Sequence, residues 1–234
     1  MLICGLQKTT LLDYPGHVAC TIFTGGCNFR CPFCQNGELV IDPAAQPKLT
    51  EEEVFAFLRK RKGILEGVCI TGGEPTLQPD LEAFIQKVKE LGYLVKLDTN
   101  GYRPGVLKKL LEDGLLDYVA VDIKASKENY ARVAGVPNLD ISKMEETVEI
   151  LKSQERVPYE FRTTVVRGLH EIEEFEAIGK WLAGAPALYL QSYQESGNVL
   201  RPDLCKGAFT REELESMATM ARKYIAKVEI RGVE

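Results

Sequence analysis

The 234-residue chain contains no run of about 18 apolar residues, the length a membrane-spanning helix requires. No membrane association is expected. The first residues, MLICGLQKTTLLDYPGH, lack a basic start followed by a long apolar block, so no signal peptide is expected. Positive charge is not in excess: 29 Lys and Arg face 34 Asp and Glu, a formal net charge of −5. A nucleic-acid partner is not expected from that balance. No Ser/Gly-rich linker, composition break or internal repeat divides the sequence, which predicts one domain over 1–234. Histidine is scarce; His17 and His170 are isolated and read as surface or loop residues. The seven cysteines are an odd number, and Cys4, Cys20, Cys69 and Cys205 are scattered. That is a poor disulfide framework, and it points to a reducing cytoplasm.

What the sequence does have is alternation. VACTIFTG (Val18–Gly25), GVCIT (Gly67–Thr71), YLVKLDT (Tyr93–Thr99), DYVAVD (Asp117–Asp122), YEFRTTVV, ALYLQSY (Ala187–Tyr193) and AKVEIRG read as strands. Between them lie helix-like segments. Two of these, from Thr50 and from Thr210, open with Thr-x-x-Glu, the spacing of a capping box. About seven strands and six helices in alternation predict an α/β fold with parallel strands joined by helical crossovers. Closure of the sheet into a barrel is not legible from such a pattern.

The chemistry-bearing residues fall where these strands end. Cys27, Cys31 and Cys34 follow the first strand. TGGEP, with Gly72, Gly73 and Glu74, ends the second, and DTNG, with Asp98 and Asn100, ends the third. Asp122, Ile123 and Lys124 end the fourth, Arg162 lies on the fifth, and QSYQES (Gln191–Ser196), with Gln194, ends the sixth. In parallel α/β folds, ligands bind at the C-terminal ends of strands. Taken singly, Glu74 also reads as a helix-entry carboxylate, DTNG as a turn, and Asp122 with Lys124 as a strand-end ion pair.

Thiolates suit zinc or iron–sulfur clusters. A structural zinc site takes four ligands, and GGCNFRCPFCQN offers three, spaced Cys-x3-Cys-x2-Cys. His17, Cys20 or Cys69 are candidates for a fourth. Three thiolates on a four-iron cluster instead leave one iron open to a small molecule. A cluster of buried or reactive thiols is the third reading.

Cys27-x3-Cys31-x2-Cys34 with Phe33 before the last cysteine, followed one βα unit later by GGEP, resembles the signature of the radical S-adenosylmethionine (SAM) enzymes. DYPG (Asp13, Tyr14, Pro15, Gly16), DTNG and DIK resemble a narrower group, the activating enzymes of glycyl radical enzymes. The whole chain is most similar to the anaerobic ribonucleoside-triphosphate reductase activating type; pyruvate formate-lyase activating enzymes share the motifs. The resemblance implies a partial (β/α)6 TIM-like barrel forming a single core domain. It implies one [4Fe-4S] cluster on Cys27, Cys31 and Cys34, with SAM on the open iron. It further implies a 5′-deoxyadenosyl radical that takes hydrogen from a glycine Cα of a partner glycyl radical enzyme. By the same resemblance, Phe33, Gln35, Gly72, Gly73, Glu74, Asp98, Asn100, Asp122, Ile123, Lys124, Arg162 and Gln194 bind the cofactor. Glu74 accepts from the SAM ammonium, and Asp98 and Asp122 offset the sulfonium. Asp13, Tyr14 and Pro15 contact the partner.

The chain departs from relatives at two places: Gln35 and Gln194 stand where His is found in many. Both keep hydrogen-bonding ability and lose the titratable group. Four scattered cysteines cannot build the extra ferredoxin-like module of some activases, and residues 36–50 read as a short polar loop. One cluster is therefore expected, with its electron from an outside donor such as flavodoxin or ferredoxin. Competing functions are activation of another glycyl radical enzyme, radical chemistry on a small molecule or peptide, and a non-enzymatic zinc or iron–sulfur module.

Overall fold

The two Thr-x-x-Glu starts fold as the sequence predicts. In the computed structural model, which describes residues 1–195 and 197–233, the Thr50 hydroxyl accepts from the Glu53 N–H and Glu53 accepts from the Thr50 N–H. Thr210 and Glu213 repeat the exchange. Each pair satisfies two N–H groups that a helix start otherwise leaves orphaned. Ser196, the last residue of QSYQES, and Glu234 lie outside the described residues.

The chain divides into two compact units. The first comprises Met1–Asn28, Glu38–Ala120 and Arg156–Pro158; the second comprises Phe29–Gly37, Val121–Glu155 and Tyr159–Glu234. In the first, β1 (Ile3–Thr10) pairs antiparallel with β2 (Ala19–Thr24). β2 then pairs in parallel with β3 (Gly67–Gly72), and β3 with β4 (Leu94–Thr99). The helices are the short α1 (Gly37–Ile41), whose first residue belongs to the second unit, then α2 (Glu51–Arg61), α3 (Leu81–Glu90) and α4 (Pro104–Glu112). Cys20, Ile22, Val68, Ile70, Val95 and Leu97 from the strands are fully buried, as are Val54, Leu58, Ile85 and Val88 from α2 and α3. This is the two-faced burial expected of parallel strands flanked by helices.

β5 (Tyr118–Asp122) gives its first three residues to the first unit and its last two to the second. The second unit continues with α5 (Tyr130–Ala134), α6 (Ser142–Lys152), β6 (Tyr159–Val165), α7 (Glu174–Trp181), β7 (Leu188–Ser192), α8 (Arg211–Ala221) and β8 (Val228–Arg231). β6 pairs in parallel with β7, and β7 with β8. Phe161, Val165, Leu188 and Leu190 are buried with Met144, Val148, Phe175, Ile178, Leu214 and Met217 from the helices.

Three elements differ from the sequence reading. β1 is an additional strand, and its pairing with β2 is interrupted by two register shifts. α1 occupies part of the segment read as a polar loop. α5 is a single helical turn or so between β5 and α6. Among the described residues, no helix is long and apolar enough to cross a membrane.

Candidate functional site

In the first unit, the ends of β2, β3 and β4 hold one connected group of residues. Gly73 N–H donates to Thr24 O, and Glu74 N–H donates to Gly26 O, both at 2.8 Å. Glycine is required here by contact and by conformation. A Cβ on Gly73 would lie 2.0 Å from Gly26 O. Gly72 has φ of +116°, and a Cβ there would meet Thr24 N at 2.3 Å. The GG pair thus lets two backbone segments touch beside Cys27.

Glu74 is fully buried. Its carboxylate accepts from Thr76 N–H at 3.0 Å, from the Thr76 hydroxyl, from the Thr99 hydroxyl at 2.6 Å and from Asn100 N–H at 2.7 Å. Three of these donors converge on Oε1, and the fourth, the Asn100 N–H, reaches Oε2. The Thr76, Thr99 and Asn100 donors fix the orientation of the carboxylate. Burial pushes the Glu74 carboxyl above its usual range, against the pull of the Asn100, Thr76 and Thr99 donors.

Asp98 lies one residue before the end of β4. Its carboxylate pairs with the Lys96 ammonium, and Lys96 is itself buried within β4, 5.9 Å from the Tyr118 ring centre. The negative charge expected to offset a sulfonium already has a cation beside it. Asn100 joins the group through its side chain, whose Nδ2 lies 2.8 Å from Asn28 Oδ1 and 3.8 Å from Cys27 Sγ.

Asp13, Tyr14 and Pro15 are not brought to this group. They lie in the turn between β1 and β2, at the start of β2, whereas Cys27 follows its end. Six residues of strand at about 3.3 Å each separate the two by roughly 17 Å. Tyr14 is 2% exposed, and a Cβ on Gly67 at the start of β3 would sit 2.8 Å from its ring. Asp13 accepts from the Thr21 hydroxyl. DYPG builds the base of the sheet, and Tyr14 has no surface to offer a partner.

In the second unit, Cys34 N–H donates to Cys31 O at 3.0 Å, closing a tight turn around Phe33. Cys31 is buried with its sulfur 3.8 Å from Ala134 O, at the end of α5. The Lys124 ammonium lies 5.8 Å from the centre of the Phe33 ring. Asp122 receives Lys124 at 3.2 Å and Arg162 Nε at 3.0 Å. Burial alone would raise the Asp122 carboxyl; the Arg162 and Lys124 cations outweigh it and hold the pKa at about 2. The same partnership, against the effect of burial, raises Lys124 above the usual lysine range. Asp122, like Asp98, has its charge balanced within the protein. Ile123 is fully buried, and its N–H donates to Arg162 O at 2.8 Å, so it contributes packing and backbone.

The two positions that depart from relatives are joined. Gln35 Nε2 donates to Gln194 O at 2.9 Å, and Gln194 Nε2 donates to Gly232 O at 2.8 Å. His170, read from the sequence as a surface or loop residue, is 1% exposed. Its Nε2 lies 2.8 Å from Lys124 O, and its Nδ1 accepts from Val166 N–H at 3.1 Å. Burial lowers its pKa, so the neutral imidazole braces the backbone of Lys124. An isolated histidine carries no sequence periodicity that would have revealed this. Tyr130, whose hydroxyl lies 3.3 Å from Asp122 O, was likewise not singled out.

The donor set fits an iron–sulfur cluster better than a four-ligand zinc site. All seven cysteines are thiols. Cys20 and Cys69 are fully buried inside β2 and β3, several residues before the strand ends. His17 is paired with Glu66 at 2.6 Å at the base of the sheet. The candidates for a fourth protein ligand to Cys27 are therefore spent elsewhere. Burial pushes the Cys34 thiol up, while the Asn36 N–H and the Lys124 cation favour its thiolate.

Comparison with known proteins agrees with this chemistry. The model of the Radical SAM superfamily matches residues 21–182. A protein of Methanocaldococcus jannaschii, provisionally named a glycyl-radical enzyme activating enzyme, is 32% identical over 99% of this chain and 96% of its own length. A Thermococcus kodakarensis protein, provisionally named a GTP 3′,8-cyclase, is 34% identical over 66% of this chain and half of its own length. The crystal structure of Streptococcus suis SuiB bound to S-adenosylmethionine aligns with a TM-score of 0.62 at 15% identity, over 88% of this chain and 48% of that one. The chain belongs to the radical SAM superfamily. Its fold is the α/β fold of that superfamily, and its cofactors are a [4Fe-4S] cluster held by cysteines and SAM.

Proposed function

We propose that this radical SAM enzyme activates a glycyl radical enzyme, with an anaerobic ribonucleotide reductase as the partner, and that residues 1–234 act as one core domain. The observation that carries the reading is the near end-to-end likeness to a relative provisionally named as such an activase. In this reading Cys27, Cys31 and Cys34 hold the cluster. When bound and reduced by one electron, the cluster and SAM supply a 5′-deoxyadenosyl radical able to take hydrogen from a glycine Cα. The electron comes from an external donor such as flavodoxin or ferredoxin.

The protein's own contribution is positioning. The Gly72–Gly73 backbone, with no Cβ, packs directly on Thr24 and Gly26 and so fixes the end of β3 beside Cys27, where a ligand would meet it. Lys124 is held at a fixed orientation by Asp122 and Phe33 and presents an ammonium to a carboxylate or ribose. Phe33, Cys34 and Gln35 lie along the adenine, and Ile123 and Gln194 complete the cofactor-binding set. Asp122 and Arg162 act on that ligand together with Lys124, and Glu74, Asp98 and Asn100 act on it from the ends of β3 and β4. The second reading is radical chemistry on a small molecule, favoured by the likeness to a GTP 3′,8-cyclase, which extends over half of that relative.

The test is anaerobic. Reconstituted protein with SAM and a reductant is expected to release 5′-deoxyadenosine. With a glycyl radical enzyme present it is expected to generate the EPR doublet of a glycyl radical on that partner. Failure to take up iron sinks the whole reading. Turnover of SAM without a glycyl radical on any candidate partner sinks the activase and leaves the small-molecule reading.

A further inference from the structure

The Asn100 side chain is buried, and its orientation is fixed from three sides. Its backbone N–H is held by Glu74 at 2.7 Å. Its Oδ1 accepts from Tyr102 N–H at 3.0 Å. With the oxygen committed there, the amide nitrogen faces Asn28 and Cys27. A primary amide carries two hydrogens. One serves Asn28 Oδ1 at 2.8 Å, which leaves the second for the Cys27 sulfur at 3.8 Å.

The Glu74 arrangement is costly on its own. A buried carboxylate with four neutral donors and, among the described residues, no ion pair is not a favourable way to fill a strand end. What it accomplishes is to lock the β3 end to the β4 end across Thr99 and Asn100. A hydrogen bond to a thiolate ligand stabilises the charge that a cluster gains on reduction, and such bonds are among the levers that set cluster potentials.

We propose that Asn100 donates a hydrogen bond to the Cys27 thiolate, that Glu74 is the positioning residue that holds Asn100 there, and that the pair raises the reduction potential of the cluster. The proposal rests on Cys27 being a cluster ligand.

The experiment is a redox titration of the full chain, reconstituted anaerobically with iron and sulfide and followed by EPR of the reduced cluster. Asn100→Ala removes the donor. Asn100→Asp keeps the shape and puts an acceptor in its place. At a fixed ambient potential, the ratio of reduced to oxidised cluster is expected to fall ~3-fold in Asn100→Ala, equivalent to about 28 mV at 59 mV per tenfold for one electron. The fall is expected to be larger in Asn100→Asp and smaller, with the same sign, in Glu74→Gln. Unchanged potentials in both Asn100 variants at full cluster content overturn the proposal. In Asn100→Ser, which keeps a donor, a potential close to that of the unsubstituted chain supports the proposal, and a fall as large as in Asn100→Ala counts against it. Loss of the cluster from all three counts against it, because a tuning bond is not a requirement for assembly. A full cluster in Cys27→Ala overturns the ligand reading instead, whatever the potentials do.

Discussion

Glu74 and Asp122 are both carboxylates at strand ends, one in each compact unit, and the protein holds them in opposite ways. Glu74 is enclosed by neutral donors, two hydroxyls and two backbone N–H groups. Asp122 sits between two cations. The consequence is visible in their acidities: burial wins at Glu74, whose pKa is raised, and the cations win at Asp122, whose pKa falls to about 2. Neutral donors fix geometry while leaving most of the desolvation cost in place. Cations cancel the charge. The first arrangement suits a hub that aims other groups, and the second, one carboxylate between two cations, leaves one net positive charge for an anionic group of a ligand.

The largest expected effect that can break this contrast is Glu74→Gln. The amide sets an NH2 against groups that are themselves donors, so at least one buried hydrogen bond is lost and one donor is stranded. A cost of about 2–4 kcal/mol is expected. It is read as a fall in the thermal midpoint of the anaerobic protein, roughly 2–4 °C per kcal/mol for a chain of this size. Asp122→Asn is expected to cost less, roughly 1–3 kcal/mol, between the values for exposed and buried pairs, because 32% of the side chain is exposed. Equal costs would erase the distinction between the two arrangements.

Acid sharpens the contrast further. Asp122 is depressed in the folded state, so its contribution is fully present above the ordinary carboxylate pKa of about 3.9 and is lost as pH falls through about 2. The stability gap between the unsubstituted protein and Asp122→Asn is therefore expected to close from pH 4 downward. Glu74 has the opposite sign: its raised pKa means that protonation relieves a folded-state cost. A gap that widens in acid would refute the pairing at Asp122. The smallest effect expected is at Cys20, whose thiol burial pushes up to about 12 against the pull of the Arg61 cation. Iodoacetamide at pH 8 should leave it unmodified in the native protein and label it after unfolding, as mass spectrometry of the peptides would show.

Much of the fold was legible because its signals are local. A capping box is four residues long, and Thr50 and Thr210 declare it outright. Alternating apolar runs gave the parallel strands. β1 was not legible: ICGLQKTT shows three consecutive exposed residues at Gln7, Lys8 and Thr9, and it is a strand through its antiparallel pairing with β2. Among candidate site residues, GGEP, DTNG and the cysteine spacing located the right strand ends. DYPG lies at the other end of β2, because the turn that carries it precedes the strand, and its Tyr14 is buried. His170 was missed because its partners, Lys124 and Val166, are set by packing.

The sequence alone determined which residue types were available and at what spacing: three thiols in eight residues, two adjacent glycines before Glu74, and carboxylates after successive strands. These are short-range facts, fixed by covalent geometry and by the two-residue and 3.6-residue periods of strand and helix. Only the tertiary structure decided who pairs with whom. Glu74 meets Asn100 across 26 residues, and Asp122 meets Arg162 across 40. Those meetings depend on which strands lie side by side, and they turned two carboxylates of the same sequence-level description into a neutral-donor hub and a cation-balanced pair.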